Sequence, residues 1–233
     1  MNYGPKIVSA GLNYYLDAAD RISYPGTGTL FKDLSGNNKN GTLTNGPTFT
    51  SSNGGGIVFD GANDYVDMGN AQTNTLYSIT SITFSAWIYI NSFLGTKCIM
   101  NSFTAIGGAN FGPRLVVTSS AGTVFAKFGI KNAGGTFVDV TNANSLPFTT
   151  NINITGTYDG SNLRIYINGI LQGTNAQSGN IFRNSAIFHT IGAPDADQSY
   201  WSGRIYSCAM YNGALSATQI RQNFDAQRGR FGI

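Results

Sequence analysis

One short stretch of this 233-residue sequence, FDGANDYVDMG, holds three carboxylates between hydrophobic residues. They are Asp60, Asp64 and Asp67, and three kinds of chemistry suit them. They could act as catalytic acids, bind calcium, or close a turn by accepting hydrogen bonds from nearby backbone N–H groups. Which of these applies decides whether the chain is an enzyme, a binding module or a structural component.

Two further segments offer oxygen ligands. DLSGNNKNG places Asp33, Ser35 and Asn37 at alternate positions, like the start of a calcium loop, but its twelfth position lacks the Glu of an EF-hand. APDADQSYW places Asp195 and Asp197 two residues apart. Calcium is the one cofactor the sequence predicts, and metal-free turns remain the alternative. The predicted metal ligands are Asp33, Asp60, Asp64, Asp195 and Asp197.

The residues that most often act as catalytic acids and bases, Glu and His, are absent or rare in this sequence. All 11 acidic residues are Asp, so no Glu is present, and His189 is the single histidine. A nucleophile–histidine arrangement would have to use His189, which stands at an alternating position of a predicted strand and is interpreted as a packed or surface residue. Asp pairs alone could support glycoside hydrolysis in principle. The sequence therefore predicts a protein that is not an enzyme.

Aromatic residues are the candidates for contact with sugars. They make up 12% of the chain. Aromatic rings on the strands of a β-sandwich either stack on sugar rings or pack in the core and at the rim, and both interpretations stay open. The predicted glycan-binding residues are Trp87, Tyr89, Tyr166, Tyr200 and Trp201.

The elements that must position these side chains are short strands separated by turns. SITFSAWIYI alternates from Ser81 to Ile90, and NLRIYINGILQG reads as a hairpin with a tight turn at Asn168-Gly169. Many such segments predict an all-β sandwich or barrel in one domain spanning 1–233. One helix is predicted near the C-terminus, where Ser216 and Gln219 have the spacing of a capping box.

Composition excludes several partners. Charged residues are only 11% of the chain, with a net charge of +3 and no dense basic patch, which argues against nucleic acid. No apolar run reaches the roughly 20 residues of a membrane span, and the N-terminus does not resemble a secretory signal. Without export, Cys98 and Cys208 are predicted to be buried thiols rather than a disulfide.

The motifs occur in an order that resembles a known superfamily. The series is GLNYYLDAAD, DLSGNNKNGTL, IVFDGANDYVDMG, SITFSAWIYI, TYDGSNLRIYINGILQG and SGRIYSCAMYNGALSATQIRQNF. It is similar to the concanavalin A-like, laminin G-like and pentraxin-related proteins, which implies an antiparallel two-sheet jelly-roll β-sandwich. The resemblance also implies that Asp195 and Asp197 lie near the pentraxin calcium loop, although the Glu-containing run of that loop is missing here.

Two parts of the sequence resemble stand-alone laminin G-like proteins of tailed, especially marine, bacteriophages. They are the N-terminal series LDAAD, SYPGTGT and DLSGNNKNGTLTNGPTF, and the ending YNGALSATQIRQNFDAQRGRFGI. That resemblance implies a virion surface protein with a structural, decoration or adhesion role and with other virion proteins, host surface polysaccharide and further copies of itself as partners. The C-terminal tail, residues 228–233, is the predicted docking segment, with packing of the tail on its own sandwich as the alternative. The predicted docking residues are Arg228, Arg230 and Phe231.

Three functions therefore remain in competition. The first is a non-enzymatic virion or adhesion protein built on a lectin-like sandwich. The second is a calcium-assisted carbohydrate-binding module, and the third is a polysaccharide-degrading enzyme, which the missing Glu argues against. A fold shared by lectins, adhesion modules and hydrolases does not choose among them, so the choice rests on the site.

Overall fold

The computed structural model describes residues 6–70, 80–91, 93–103, 111–182, 188–193 and 200–233. Nearly all regular structure in these ranges is β-strand. The strands are Leu12–Asp17 (β1), Leu30–Phe31 (β2), Gly41–Thr44 (β3), Thr48–Thr50 (β4), Gly56–Asp60 (β5), Tyr65–Asn70 (β6), Ile82–Ile90 (β7), Gly95–Phe103 (β8), Phe111–Ser120 (β9), Thr123–Lys131 (β10), Phe137–Thr141 (β11), Asn151–Tyr158 (β12), Asn162–Ile167 (β13), Ile170–Ala176 (β14), Phe188–Ile191 (β15) and Ser202–Tyr211 (β16). The helices are Ala217–Gln227 (α1) and the short 3-10 helices Ser52–Gly54 and Arg228–Phe231.

The strands form two antiparallel sheets. The first sheet has the order β14-β13-β12-β7-β16-β5-β4, and β1 also pairs with β16. The second sheet has the order β11-β10-β9-β8-β15-β6-β3-β2. Consecutive strands such as β12-β13-β14 and β8-β9-β10-β11 are joined to strands far away in the chain, as at β7-β16 and β8-β15, which is typical of a jelly roll rather than a simple meander. The predicted two-sheet β-sandwich is confirmed.

Strict alternation in β7 explains how the core forms. Its inward residues pack between the two sheets, because successive side chains of a strand point to opposite faces. Its outward residues, including Thr83 and Trp87, are also buried, since α1 and its flanking segments cover this face of the first sheet. The inward residues of β7 are Ile82, Phe84, Ala86, Ile88 and Ile90.

The predicted hairpin forms between β13 and β14. Asn168 has φ 51° and Gly169 has φ 76°, so both central residues adopt the positive φ that a tight type I′ turn requires. A Cβ at Gly169 would also lie 3.1 Å from the Cβ of Phe224, which places this turn against α1. The hairpin tip and the helix therefore belong to one packed region.

Helix α1 begins as the sequence predicts. The Ser216 side chain accepts a hydrogen bond from Gln219 N, and the Gln219 side chain accepts one from Ser216 N, which completes the capping box. The α-helix ends at Gln227 and the chain continues as a 3-10 turn through Phe231, because burial of the Phe231 ring holds the chain against the sheet.

Cys98 and Cys208 remain as buried thiols, which confirms the prediction against a disulfide. Burial raises the pKa of the Cys208 thiol, so it stays protonated. Within the described ranges, no helix is long and apolar enough to cross a membrane.

Candidate functional site

The Asp33 carboxylate closes its own loop. Oδ1 accepts from Tyr15 N at 2.9 Å and Ser35 N at 2.8 Å, and Oδ2 accepts from Ser35 Oγ at 2.7 Å and Lys39 N at 3.1 Å. A carboxylate has about four lone-pair positions, and these four bonds occupy them. The geometry therefore assigns Asp33 to holding the loop against β1 and does not fit the predicted role of calcium ligand.

The Asp60 turn has a similar construction but keeps more acceptor capacity. Asp60 Oδ1 accepts from Ala62 N at 2.7 Å, and Asp64 Oδ2 accepts from Asp60 N at 3.1 Å. Backbone N–H groups lower the pKa of Asp60, whereas burial raises the pKa of Asp64 and the nearby Asp60 charge adds to the rise. Asp67 Oδ1 accepts from Gly69 N, as expected for a turn residue. The geometry fits the calcium prediction at the neighbouring carboxyls of Asp60 and Asp64.

Metal-binding residues form no larger group in the described part of the chain, the Asp60 turn included. No group of three or more His, Cys, Asp or Glu side chains lies close enough to hold an ion there. Asp195 and Asp197, the other two predicted ligands, lie outside the described residues.

Three of the five predicted glycan-binding aromatics are buried. Trp87 is 1% exposed, Tyr166 4% and Trp201 0%. Their ring faces are covered by protein, so the prediction that they stack on sugars is wrong for this structure. Tyr89 and Tyr200 stay half-buried. The Arg204 guanidinium carbon lies 4.5 Å from the centre of the Tyr89 ring.

The C-terminal tail explains why Trp87 is covered. The Phe231 ring stacks on Trp87 with 4.0 Å between ring centres, and Phe224 stacks on the same indole at 5.5 Å. Arg230 donates to both carboxylate oxygens of Asp17, at 2.7 and 2.8 Å. Arg228 pairs with Asp225 at 2.9 Å. The predicted docking role of Arg230 and Phe231 is wrong because both side chains pack on their own sandwich, as the alternative interpretation had it.

His189 lies in the core between the two sheets and is fully buried. Its Nε2 is 2.5 Å from Tyr14 Oη, and its Nδ1 is 3.0 Å from Ser102 Oγ. Burial lowers the pKa of His189 to about 4, so the ring is neutral near pH 7. Of the two interpretations offered for His189, a packed or a surface residue, the packed one is confirmed, and a substrate has no access to the ring.

A basic–aromatic patch lies on the outer face of the second sheet, where strands β9, β10 and β11 run side by side. The outward side chains alternate with core residues such as Leu115, Ala126 and Phe128. All members of the patch are half-exposed. The basic–aromatic patch consists of Arg114, Phe125, Lys127, Lys131, Phe137 and Phe182.

Register brings the central groups of this patch together. Gly129 lies opposite Arg114 on one side and opposite Asp139 on the other. A Cβ at Gly129 would be 2.5 Å from the Phe137 ring, so the glycine lets that ring lie against the sheet. The Arg114 guanidinium carbon lies 3.9 Å from the centre of the same ring. The guanidinium therefore lies over one face of the Phe137 ring, and the ring stays half-exposed beside it.

The charge of the patch is positive. Lys127 Nζ is 4.0 Å from Asp139 Oδ2, and Lys131 Nζ lies 4.9 Å from the centre of the Phe182 ring. Among the described residues, this face therefore carries three cations and the carboxylate of Asp139. Sequence reasoning missed the patch, although the segments PRLVVTS, TVFAKFGI and GTFVDVT show visible alternation. Nothing in the sequence shows which strands are neighbours or in what register they pair.

Two packed antiparallel sheets define a lectin-like β-sandwich protein. A family profile described as the concanavalin A-like lectin/glucanases superfamily matches residues 60–221, more than half of the chain. The chain belongs to this laminin G-like family. No curated protein shows a significant match to the sequence.

Solved structures share the fold at low sequence identity. Domain 4 of AbnA, a GH43 extracellular arabinanase from Geobacillus stearothermophilus, is 15% identical with a TM-score of 0.66, over 93% of this chain and 98% of that one. The binding domain of botulinum neurotoxin DC is 17% identical with a TM-score of 0.69, over 94% and 52%. Trypanosoma rangeli sialidase is 16% identical with a TM-score of 0.67, over 94% and 33%. The chain thus spans about half of the toxin domain and a third of the sialidase.

Proposed function

We propose that this chain is a non-enzymatic adhesion protein that binds glycans carrying negative charge. The observation that carries the proposal is the Arg114–Phe137 arrangement over Gly129. A sugar ring can stack on the exposed part of an aromatic ring, and a guanidinium beside it can bind a carboxylate or sulfate through two hydrogen bonds. Lys127 and Lys131 extend the positive field along the same face.

Neighbouring structures support a sugar ligand. The arabinanase domain was solved in complex with arabinotriose and the toxin domain in complex with SialylT. A shallow patch with few polar groups binds one glycan chain weakly, at roughly millimolar to micromolar dissociation constants. Display of many copies on one surface raises the effective affinity by avidity. The proposed function therefore needs presentation in several copies.

The surface of a tailed-phage particle is the location we propose, with other virion proteins as partners and the host polysaccharide as the target. Repeated copies on a particle supply the avidity that a weak patch lacks. Mass spectrometry of purified particles tests the location: absence of the chain from the particles would contradict it, whatever its sugar affinity.

A binding role rather than hydrolysis is supported by the placement of His189. The ring is enclosed by Tyr14, Phe84 and Ser102 in the core and cannot exchange a proton with a bound substrate. Without Glu, acid–base chemistry on a glycosidic bond would need two Asp residues with separated pKa values. Asp60 and Asp64 have pKa shifts in opposite directions, but both are tied to the same turn.

The patch can be tested with paired arginine variants. We expect Arg114→Ala to weaken binding of a carboxylate-bearing polysaccharide by about tenfold, because one charge-assisted contact contributes on the order of 1.4 kcal/mol. Arg21→Ala removes the same charge from an exposed loop and serves as the matched control. Affinity electrophoresis at 50 and 300 mM salt measures both variants. Equal binding by Arg114→Ala and the wild type would contradict the patch as the site.

We propose calcium binding only at the Asp60 turn. A cation there would be held by Asp60 and Asp64 and would offset the repulsion that helps raise the pKa of Asp64. We expect millimolar calcium to raise the melting temperature by a few degrees, and Asp64→Asn to abolish the rise. Asp33→Asn should keep the calcium response, since the Asp33 oxygens bond the loop. No shift in the wild type would leave a metal-free turn.

A further inference from the structure

A groove of about 1160 Å³ lies on the outer side of the first sheet, away from the basic–aromatic patch. It is lined by the N-terminal segment from Lys6 to Leu12, by β1, by the loop after β2 and by the end of α1. Asn223 Oδ1 accepts a hydrogen bond from Val8 N at 2.8 Å, and Gln222 donates to Lys6 O at 2.8 Å. The N-terminal segment is thus bound to the helix, and the groove has a defined wall.

The floor of the groove is held rigid by charge pairing. Tyr15 Oη donates to Asp17 Oδ2 at 2.7 Å. Asp17 in turn accepts hydrogen bonds from Arg230. The remaining N–H groups of Arg230 donate to Asn53 O at 3.0 Å and Gly55 O at 2.9 Å. These bonds fix the half-buried Tyr15 ring in one orientation. A ring fixed before binding loses little conformational entropy when a ligand stacks on it.

The charges that line the groove nearly cancel: Asp17, Asp20 and Asp225 are carboxylates, and Lys6 and Arg230 are cations. Asp17 is paired with Arg230, and Asp225 is paired with Arg221 at 2.8 Å as well as with Arg228. Lys6 and Asp20 remain, and their charges are opposite. A lining of this kind has no preference for a charged ligand, in contrast to the basic–aromatic patch.

Hydrogen-bonding groups surround the aromatic floor. Ser9 offers a hydroxyl and Gln227 an amide nitrogen, while Gln227 Oε1 is oriented by a bond from Ser207 Oγ at 2.9 Å. Leu12 and Leu34 flank Tyr15 with apolar surface. Donors and acceptors around an aromatic ring suit a ligand with many hydroxyl groups and an apolar ring face. The volume exceeds the roughly 300–1,000 Å³ of ordinary small-molecule sites, so a short chain of units fits better than one unit.

From these observations we infer that the groove beside Tyr15 is a second binding site, and that its ligand is an uncharged oligosaccharide of several sugar units. The site is formed by residues other than those of the basic–aromatic patch. The groove is expected to bind a different class of ligand from the patch, because the charges that line the groove nearly cancel. The chain then binds two kinds of sugar surface on opposite faces of one sandwich.

Isothermal titration with uncharged arabinan, xylan and glucan oligosaccharides of one to six units tests the groove. We expect affinity to increase with chain length and then level off once the groove is filled. Tyr15→Leu should weaken binding at least tenfold by removing the stacking surface, whereas Tyr15→Phe should stay within about threefold because it keeps the ring. Tyr65→Leu removes a half-buried tyrosine from the second sheet and is the matched control.

Asp20→Asn and Lys6→Ala give a second test that leaves the floor intact, and each should weaken binding a few-fold. The site is refuted if none of the three series binds, or if Tyr15→Leu, Asp20→Asn and Lys6→Ala all bind like the wild type. Arg114→Ala should leave this binding unchanged. If Arg114→Ala alone lost binding of the uncharged ligands, their site would be the patch and not the groove. If acidic glycans failed to bind, the proposed function would be refuted, but the inference about the groove would be unaffected.

Discussion

Phe231→Ala lowers the free energy of unfolding by about 3 kcal/mol, which we expect to be the largest effect of any single substitution in the C-terminal tail. The ring is 8% exposed, stacks on Trp87 with 4.0 Å between ring centres, and packs edge-on against Tyr206 with 5.0 Å between ring centres. Removing a buried phenylalanine ring costs roughly 3–5 kcal/mol, and a site near the surface lies at the lower end of that range. Chemical denaturation followed by tryptophan fluorescence measures the loss.

The matched control is Ile233→Ala, two residues further on. Ile233 is 46% exposed, so its truncation should change stability by no more than about 0.5 kcal/mol. Deleting 228–233 should cost more than Phe231→Ala, because it also leaves the Asp17 carboxylate without Arg230. An unchanged unfolding midpoint after the deletion would show that the tail is a detachable docking segment after all.

Acidification from pH 7 to pH 4 destabilises the protein by about 3 kcal/mol, and His189 is the group responsible. Its pKa is about 4 in the folded protein and about 6.5 in an unfolded chain. As the pH falls, the unfolded chain therefore takes up the proton first. The stabilisation is complete above pH 6.5 and is lost between pH 6.5 and 4, at about 1.4 kcal/mol per unit of pKa difference.

Denaturant titrations at pH 7, 5.5 and 4.5 measure this slope. His189→Gln keeps hydrogen-bonding capacity toward Tyr14 and Ser102 without titrating, so its stability should be lower but nearly constant over that range. Asp60 and Asp225 have lowered pKa values and lose their contributions only below the ordinary carboxyl range. Asp64, whose pKa is raised, acts in the opposite direction, and Asp64→Asn removes that effect. A flat wild-type profile would contradict the buried neutral histidine.

Local patterns predict the fold well here because each depends on neighbours in the chain. Alternation in Ser81–Ile90, the positive-φ turn at Asn168-Gly169 and the capping box at Ser216 are all present in the structure. Strand periodicity, turn conformation and helix capping are decided within a few residues. The turn interpretation of Asp60 holds for the same reason, since its carboxylate bonds N–H groups two and three residues further on.

Site residues were predicted less well, because exposure depends on what packs over a strand. Trp87 points outward from β7, as a residue that stacks on sugars would. Phe231, 144 positions later in the chain, nevertheless covers its ring. The docking prediction for Arg230 fails in the same way, since its partner Asp17 lies 213 positions earlier in the chain. No local pattern encodes contacts at such separations.

Local patterns in the sequence predicted an all-β sandwich or barrel with one capped helix, two buried thiols and a packed or surface histidine, and the resemblance narrowed the fold to a two-sheet sandwich. Tertiary structure alone decided which outward residues are accessible. It stacked Phe231 on Trp87, set Arg114 beside Phe137, and brought Tyr15 into a groove with the end of α1. The reason is physical: strand register and the docking of a distant tail are chosen by the burial of the whole core, so they place side chains together that the sequence keeps far apart.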